Sequence, residues 1–188
     1  AGFIGFHICK RLLDDKNQIV GIDNLNDYYD HKIKIDRNKI LTNYNNYKFF
    51  KFDLVEYTKL NKLIKKFKIK VILHLAAQAG VRYSVESPEK YFDSNLKGFF
   101  NILELSRNNK INHLIFASTS SVYGNSNKFP LKESDNSDFP MSFYAATKKS
   151  NEVMAHSYSN IYKLPCTALR FFTVYGPYGR PDMSLFKF

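Results

Sequence analysis

The sequence predicts an α/β fold in which a doubly wound parallel sheet carries helices on both faces. Short apolar runs alternate with longer amphipathic segments along the chain, and this alternation of strands and helices is typical of parallel sheets. Small, acidic or hydroxyl residues follow most of the apolar runs. Because ligands bind such sheets at the carboxyl ends of the strands, these residues are the first candidates for a functional site.

The first half of the chain supplies three helices and three strands. Apolar residues at helical spacing predict the helices, and the continuous apolar run from Val71 to Leu75 predicts a strand that is buried on both faces. In chain order, the expected elements are an amphipathic helix over residues 6–13, a strand at Ile19–Asp23, a helix near His31–Leu41, a strand at Tyr47–Phe52, a helix at Thr58–Phe67 and a strand at Val71–Leu75.

The second half continues the same alternation. Pro88 suits the first turn of a long helix that runs to about Arg107. The apolar run Leu114–Ala117 predicts a buried strand, followed by a helix over Ser142–Tyr162 and a strand over Cys166–Phe172. With 188 residues, the chain is long enough for one domain, and we predict that 1–188 form a single domain.

The start of the chain predicts a phosphate-binding loop. Gly2 and Gly5 precede an amphipathic helix, where glycines allow the backbone to approach a pyrophosphate and the helix to pack closely on a strand. Asp23 ends the next apolar strand, at the distance from these glycines where an acid accepts hydrogen bonds from the adenosine ribose. The acid also repels a 2′-phosphate, so the pattern favours NAD over NADP and a Rossmann-like fold.

The segment from Tyr144 to Lys148 is the strongest indication of chemistry. Residues four apart on a helix share a face, so the phenol and the ammonium can point into the same cleft. A neighbouring positive charge lowers the pKa of a phenol, which then becomes a base able to take a proton from an alcohol. The motif alone also fits an ordinary surface helix, but here it follows the hydroxyl-rich strand end Ser118–Ser121.

Composition excludes several other classes of function. The formal charge of +11 comes from lysines spread along the chain, without a zinc finger or an arginine-rich arm, so we predict a solvated basic surface and no nucleic-acid site. No apolar run approaches the ~18 residues of a membrane span. Cys9 and Cys166 show no metal-site or disulfide spacing. We therefore predict no metal, and the simple expectation is a cytoplasmic protein, although a segment before residue 1 could carry an anchor.

Several longer motifs resemble one enzyme family. The glycine loop, His74–Gln78, Ser118–Gly124 and Tyr144–Lys148 look like the extended short-chain dehydrogenase/reductases, specifically the NAD-dependent epimerases and dehydratases. Within that family, the UDP-glucuronate 4-epimerases are similar to this chain in four further segments, which are 21–30, 79–84, 170–177 and 179–183. The resemblance implies tightly bound NAD, a UDP-sugar substrate and a homodimer formed by the Pro88 and Tyr144 helices. It also implies a strand before residue 1 and a substrate-binding region after residue 188.

The resemblance implies a role for each matching residue. Thr119, Tyr144 and Lys148 match the catalytic hydroxyl, the base and its cationic partner. Positions that match NAD contacts are Gly2, Phe3, Ile4, Gly5, Asp23, Asn24, Asp53, Leu54, Ala76, Ala77, Gln78, Asn95, Ser118, Tyr144, Lys148 and Phe172. Positions near the sugar are Gln78, Arg82, Thr119, Ser121, Tyr144, Thr173 and Arg180. Arg180 is expected to hold the uronate carboxylate, because a guanidinium binds a carboxylate in a two-point fork.

Three alternatives to the UDP-glucuronate 4-epimerases stay open. Sugar-nucleotide dehydratases and UDP-glucuronate decarboxylases usually carry a carboxylate just after the catalytic hydroxyl, where this chain has Ser120 and Ser121. UDP-glucose/UDP-galactose 4-epimerases need no partner for a carboxylate, which Arg180 and the Arg82 segment argue against. A protein that binds the dinucleotide only as a regulatory signal is the non-enzyme alternative. His74 and Asp53 also have structural interpretations, as a satisfied core histidine and as the cap of a turn.

Overall fold

Helices and strands alternate through the computed structural model, which describes residues 1–183. In chain order they are α1 (Phe3–Asp14), β1 (Ile19–Asp23), α2 (His31–Thr42), β2 (Tyr47–Lys51), α3 (Tyr57–Phe67), β3 (Val71–His74), α4 (Tyr83–Glu86), α5 (Pro88–Tyr91), a π-helical turn (Phe92–Lys97), α6 (Gly98–Asn108), β4 (His113–Thr119), a 3-10 turn (Ser120–Tyr123), α7 (Phe143–Tyr162) and β5 (Cys166–Phe171). Apart from the long helix predicted from Pro88, each strand and long helix predicted from the sequence is confirmed to within about three residues.

Every strand pair in the described part of the chain is parallel. β1 pairs with β2, from Ile19 opposite Tyr47 to Asp23 opposite Lys51. β4 pairs with β3 on one side and with β5 on the other. The hydrogen-bonded strand orders are β1-β2 and β3-β4-β5, in two separate sheets. Asp23 is the last residue of β1 in the first sheet. Thr119 is the last residue of β4, which is the central strand of the second sheet.

The chain divides into two compact units, and each is described by itself. The first unit joins residues 1–53 to the segment that begins at Val174, and the second unit is Leu54–Thr173. In the first unit, Phe6 and Leu13 of α1, Leu41 of α2 and Tyr47 of β2 form a buried apolar cluster. The Tyr47 hydroxyl packs directly against Gly21 of β1, where a Cβ would displace the Tyr47 ring.

The core of the second unit lies between α6 and β4. Phe99, Leu103, Leu114 and Phe116 are at most 1% exposed, and the rings of Phe99 and Phe116 are 4.9 Å apart. Burial alternates along most of β4, where Leu114, Phe116 and Ser118 are buried and the residues between them are half-buried. This packing fixes the strand whose last residue is Thr119.

Two sequence predictions about this unit need correction. β3 is not buried on both faces, since Val71 is 49% and Leu73 is 38% exposed. β3 lies at the edge of its sheet, and residues two apart share a face, so one face of the strand is uncovered. The long helix from Pro88 is also interrupted, because a π-helical turn at Phe92–Lys97 joins α5 to α6. Such turns break the 3.6-residue period and often occur at functional sites.

Within residues 1–183, none of the helices combines the length and the apolar composition of a membrane span. The described residues also contain no group of three or more His, Cys, Asp or Glu side chains arranged to hold a metal ion. Cys9 and Cys166 are free thiols.

Candidate active site

Thr119, which was predicted to supply the catalytic hydroxyl, lies on a tight turn at the carboxyl end of β4. Thr119 is 6% exposed and caps the 3-10 turn, where its Oγ1 accepts a hydrogen bond from the Ser121 N–H and donates one to Ser121 Oγ, both at 3.2 Å. Gly124 ends the turn with φ +62°, and a side chain there would collide with the Phe139 carbonyl. The turn therefore fixes the hydroxyls of Thr119 and Ser121 close together.

Helix α7 carries Tyr144 in its first turn. Ser142 caps the helix, since its Oγ accepts a hydrogen bond from the Ala145 N–H at 3.1 Å. Tyr144 is half-buried, and its ring lies edge-on to the Tyr91 ring with the centroids 6.1 Å apart. The cap and the ring contact hold the phenol at the start of the helix.

Lys148 lies one turn beyond Tyr144 and is a buried cation. Its side chain is 2% exposed, and its Nζ donates to the Ala117 carbonyl of β4 at 3.0 Å. Within residues 1–183, no carboxylate lies at ion-pair distance from it. Burial lowers the pKa of Lys148 to about 8, because the charged form loses its hydration. The predicted partner of the phenol is therefore an ammonium that titrates close to the physiological range.

Asn95 connects three elements around this helix. It is fully buried in the π-helical turn, where its Oδ1 accepts from the Gln78 N–H at 2.8 Å and its Nδ2 donates to the Gln78 carbonyl at 3.0 Å. The same Nδ2 also lies 3.0 Å from Thr147 Oγ1 of α7. The side chain of Asn95 thus binds protein groups, and its predicted cofactor contact stays a prediction.

His74 is buried in the core of the second unit. It is 4% exposed, and its ring packs at 5.4 Å from Phe99. Burial, with a smaller effect of the Lys148 charge, lowers the pKa of His74 to about 3. The prediction of a core histidine is confirmed in position, but Nε2 is buried without a hydrogen-bond partner, so the residue is not fully satisfied.

The other predicted residues of the second unit are placed as follows. The Ser118 hydroxyl donates to Glu152 on α7 at 2.5 Å, and its predicted cofactor contact stays a prediction. The Leu54 carbonyl accepts from Asn101 at 2.9 Å. By exposure, Gln78 is buried, Ala76, Ala77 and Ser121 are half-buried, and Arg82, Phe172 and Thr173 are exposed. Thr119 and Ser121 thus lie at the end of β4, and Lys148, one helical turn beyond Tyr144, contacts the same strand.

In the first unit, the N-terminus of α1 is suited to an anion. Gly2 is the N-cap and supplies no side-chain acceptor, so the first-turn N–H groups of Phe3, Ile4 and Gly5 have no partner within the helix. A Cβ at Gly2 would meet no atom within 4 Å, which leaves room for a pyrophosphate. A Cβ at Gly5 would also meet nothing within 4 Å. The close packing that we predicted for Gly5 is therefore absent from the described part of the chain, because no described atom approaches that side of the helix.

The loop after β1 is held by its own acidic and amide side chains. Asp23 Oδ1 accepts from the Leu25 N–H at 2.7 Å. Asn24 Nδ2 donates to Asp53 Oδ2 at 2.7 Å. These bonds place three predicted cofactor residues together at the carboxyl ends of β1 and β2.

Arg180 is engaged within the protein. Its Nε donates to Asp182 Oδ1 at 3.0 Å, its Nη2 bonds the second oxygen, and its guanidinium lies 6.0 Å from the centre of the Tyr28 ring. A substrate carboxylate would therefore have to compete with Asp182. The sequence alone did not indicate this ion pair.

Sequence reasoning also missed a buried guanidinium in the first unit. Arg37 of α2 is 0% exposed, and it donates to the carbonyls of Tyr178, Gly179 and Ala1 and to the Tyr29 hydroxyl. Arg37 thereby fastens the turn that precedes Arg180 to α2. The segment around Arg37 is rich in charge, which gave no signal of burial.

A model of a known protein family matches nearly the whole chain. It is described as GDP-mannose 4,6 dehydratase and matches residues 1–186. The chain belongs to this family. The resemblance to the NAD-dependent epimerases and dehydratases, and with it the Rossmann-like α/β fold, is thereby confirmed. Ser120 and Ser121 show that this member lacks an acid directly after Thr119.

Several curated proteins and solved structures are similar over nearly the whole chain. Protein CapI of Staphylococcus aureus is 55% identical over 100% of this chain and 56% of its own length. A probable UDP-glucuronate 4-epimerase of Rhizobium meliloti is 53% identical over 100% of this chain and 55% of its own. The crystal structure of UDP-glucuronic acid 4-epimerase from Bacillus cereus, in complex with UDP-glucuronic acid and NAD, has a TM-score of 0.92 and 35% identity over 99% of this chain and 58% of its own. The chain spans about half the length of the curated relatives it matches.

Proposed function

We propose that the complete protein, meaning the natural polypeptide that contains this chain, is an NAD-dependent 4-epimerase of UDP-glucuronate and UDP-galacturonate. The observation that carries the proposal is the arrangement at the end of β4. A hydroxyl, Thr119, ends the strand, and the buried ammonium of Lys148 lies one helical turn beyond Tyr144. The similarity to named UDP-glucuronate 4-epimerases supports this choice of substrate.

The proposed chemistry uses Tyr144 as the base. Its phenolate Oη removes the proton of the sugar 4-hydroxyl, while Thr119 Oγ1 is hydrogen-bonded to the same oxygen. The charge of Lys148 favours the phenolate form. The chemistry that bound NAD would supply is reversible hydride acceptance from C4. The sugar then turns and is reduced on its other face, so Tyr144 returns its proton and no net oxidation occurs.

The residues of the first unit fit NAD. The uncapped N-terminus of α1 offers N–H groups and open space to the pyrophosphate. Asp23 at the end of β1 provides acceptors for the adenosine ribose and disfavours a 2′-phosphate.

The absence of an acid beside Thr119 separates this proposal from dehydration and decarboxylation. Elimination needs a proton donor at the site, and Ser120 and Ser121 supply no carboxylic acid there. A regulatory protein would not need the Tyr144–Lys148 pair. UDP-glucose/UDP-galactose epimerisation is the second candidate, favoured by the ion pair that already occupies Arg180.

Product analysis tests the substrate. The purified complete protein is incubated with UDP-glucuronate and, in parallel, with UDP-galactose, and the sugars are identified by nuclear magnetic resonance. We expect UDP-galacturonate from the first incubation and loss of activity in Tyr144→Phe. Conversion of UDP-galactose alone would replace the proposal by the second candidate, and UDP-xylose would indicate a decarboxylase.

Arg180 is tested separately. We propose that its guanidinium exchanges Asp182 for the uronate carboxylate, so Arg180→Ala should weaken uronate binding by about 1.5–3 kcal/mol, the scale of hydrogen bonds to charged groups. Asp182→Asn is the matched variant, because it frees the guanidinium and should tighten binding. Unchanged uronate kinetics in both variants would remove Arg180 from the substrate site.

We further propose that the complete protein is a homodimer. Phe100 on α6 and Val153 and Ile161 on α7 are 47%, 58% and 61% exposed, which leaves apolar surface on two neighbouring helices. A second copy would cover this surface by helix packing. Sedimentation of the complete protein should give a dimer, and Val153→Asp should shift it toward monomer.

We propose the cytosol as the site of action. The free thiols of Cys9 and Cys166 support a reducing compartment. Fractionation of the source cells tests this, and recovery of the protein with membranes or secreted material would contradict it.

A further inference from the structure

Helix α7 carries a carboxylate, Glu152, on the same face as Tyr144 and Lys148. Glu152 lies four residues beyond Lys148, and residues four apart lie on one face of a helix. The carboxylate is part of neither the proposed proton transfer nor the predicted binding sites.

The Glu152 carboxylate joins three elements of the second unit. Its Oε1 accepts from Ser118 Oγ of β4 at 2.5 Å and from Arg170 Nε of β5 at 2.9 Å. Its Oε2 accepts from Arg170 Nη2 at 2.8 Å. One side chain of α7 is thus fastened to two neighbouring strands by charge-assisted hydrogen bonds.

The cluster is held tightly by its surroundings. The side chains of Glu152 and Arg170 are 12% and 16% exposed. Burial opposes ionisation of Glu152, but the hydrogen bonds from Arg170 and Ser118 outweigh it, and the pKa of the carboxyl is lowered. The Arg170 guanidinium also lies 4.8 Å from the centre of the Tyr123 ring and donates to Ser137 Oγ at 3.2 Å. The carboxylate therefore stays charged and has little freedom to move.

Two consecutive residues of β4 bind this face of α7, and the next residue is Thr119. Lys148 binds the Ala117 carbonyl, Glu152 binds the Ser118 hydroxyl, and Thr119 is the proposed catalytic hydroxyl. A shift of α7 along its axis would break the first two contacts and would move Tyr144 relative to Thr119. The Glu152 contact is the stronger of the two ties, because it also includes the Arg170 fork.

We propose that Glu152 is a positioning residue that fixes the register of α7 against the end of β4, so that Tyr144, Lys148 and Thr119 keep the geometry needed for proton removal. The inference rests on the proposed function for its kinetic consequence. The contacts themselves do not depend on the identity of the sugar.

The kinetic test is Glu152→Gln in the complete protein. The variant retains an acceptor for Ser118 but loses the charge and the second bond to Arg170. We expect kcat for epimerisation to fall by up to about 100-fold, the scale of a misplacement of about 1 Å, with the KM for the UDP-sugar changed by less than about threefold. Ser118→Ala, which removes only the tie to β4, should give a smaller loss of the same kind and serves if Glu152→Gln does not fold.

Glu104→Gln is the matched control. Glu104 of α6 also accepts a two-point bond from an arginine, at 2.7 and 2.8 Å from Arg107, and a hydroxyl bond at 2.6 Å from Tyr158 of α7. We expect a similar fall in the thermal midpoint with kcat within about twofold of the parent. Wild-type kcat in Glu152→Gln, or an equal loss of kcat in both variants, would overturn the proposal.

A readout without substrate separates this inference from the proposed function. Tyrosine is labelled with ¹³C at the ring, and the Tyr144 resonance is assigned by its loss in Tyr144→Phe. Glu152→Gln should move that resonance, and Glu104→Gln should leave it in place. A Tyr144 resonance unmoved by Glu152→Gln overturns the positioning role even in an active enzyme. A moved resonance supports it even if UDP-glucuronate proves not to be the substrate.

Discussion

Lys148 and Arg37 are both buried cations that bind backbone carbonyls, yet their surroundings differ. Arg37 donates to three carbonyls and a phenol. The contact described for Lys148 is one bond, to the Ala117 carbonyl, and burial lowers its pKa to about 8. A buried guanidinium with this many hydrogen-bonded donors stabilises the folded structure. A buried ammonium with one described hydrogen bond lowers stability, but its charge remains available to favour a neighbouring phenolate. The same substitution to Met should therefore have opposite consequences at the two positions.

Turnover should show the largest difference. Lys148→Met removes the charge that favours the Tyr144 phenolate, and kcat of the complete protein should fall by about 10²–10⁴-fold, the usual contribution of acid–base catalysis. Arg37→Met, assayed at a temperature where it is folded, should lose far less. Steady-state kinetics per mole of folded protein make the comparison, and equal losses would show that the two cations play the same part.

The free energy of unfolding should show the reverse order. Arg37→Met abandons three carbonyl contacts and the Tyr29 hydroxyl, so we expect a loss of about 3–5 kcal/mol, comparable with the breaking of a buried charged pair. Urea unfolding of the complete protein measures it. Arg37→Lys keeps the charge but not the planar fork and should recover only part of the loss. Full recovery by Lys would mean that charge, not geometry, is what the site requires.

Lys148→Met should stabilise the protein near neutral pH. Because the folded-state pKa of Lys148 is about 8 and the ordinary pKa of a lysine is 10.5, the unfolded chain binds more protons between these values, and stability rises with pH there. Lys148→Met should therefore raise the free energy of unfolding by roughly 2 kcal/mol near pH ~7. This net value already includes a loss of about 1 kcal/mol, because the Ala117 carbonyl is left without its partner.

This gain should vanish as pH rises from about 8 to 10.5. Unfolding curves of parent and variant near neutral pH and near pH ~10 give the difference. Lys149→Met, a substitution at the next residue, controls for the loss of a lysine charge. A gain that is constant with pH would mean that burial does not lower the pKa of Lys148.

The smallest effect is expected at Tyr29. Tyr29→Phe removes one of the acceptors of Arg37, the hydroxyl at 2.9 Å, and should cost about 1 kcal/mol, the net value of a single hydrogen bond. If it costs as much as Arg37→Met, the guanidinium is held by Tyr29 alone, and the carbonyls contribute little. Thermal unfolding of the two variants side by side is sufficient.

Local patterns were enough for most of the secondary structure and for part of the site. Helical spacing predicted α3, and continuous apolar runs predicted β4, because packing imposes these periods on the sequence. The same logic failed for β3, since an apolar run indicates what a strand could bury and not what lies against it. The spacing of Tyr144 and Lys148 placed both on α7 because four residues make about one turn.

Long-range contacts could not be predicted. Arg37 lies in the polar segment His31–Thr42, and its burial depends on carbonyls 141 and 142 residues away in the chain. The ion pair of Arg180 with Asp182 was not predicted, because the motif indicated an external ligand for the guanidinium and not an internal partner that competes for it. Glu152 gave one signal, its position four residues after Lys148, and this signal gains meaning only when Ser118 and Arg170 are seen to meet it.

The π-helical turn at Phe92–Lys97 has a consequence for how this chain could change. Asn95 bonds both main-chain groups of Gln78, as a neighbouring strand would, and it does so from within the widened turn. Deleting one residue upstream of Asn95 would restore a regular helix but would swing the amide by about 100°, away from Gln78. An insertion or deletion before Asn95 would therefore be unfavourable because it rotates the Asn95 side chain away from Gln78, and not because of a steric clash. Changes in the length of this helical segment should be tolerated only toward the end of α6.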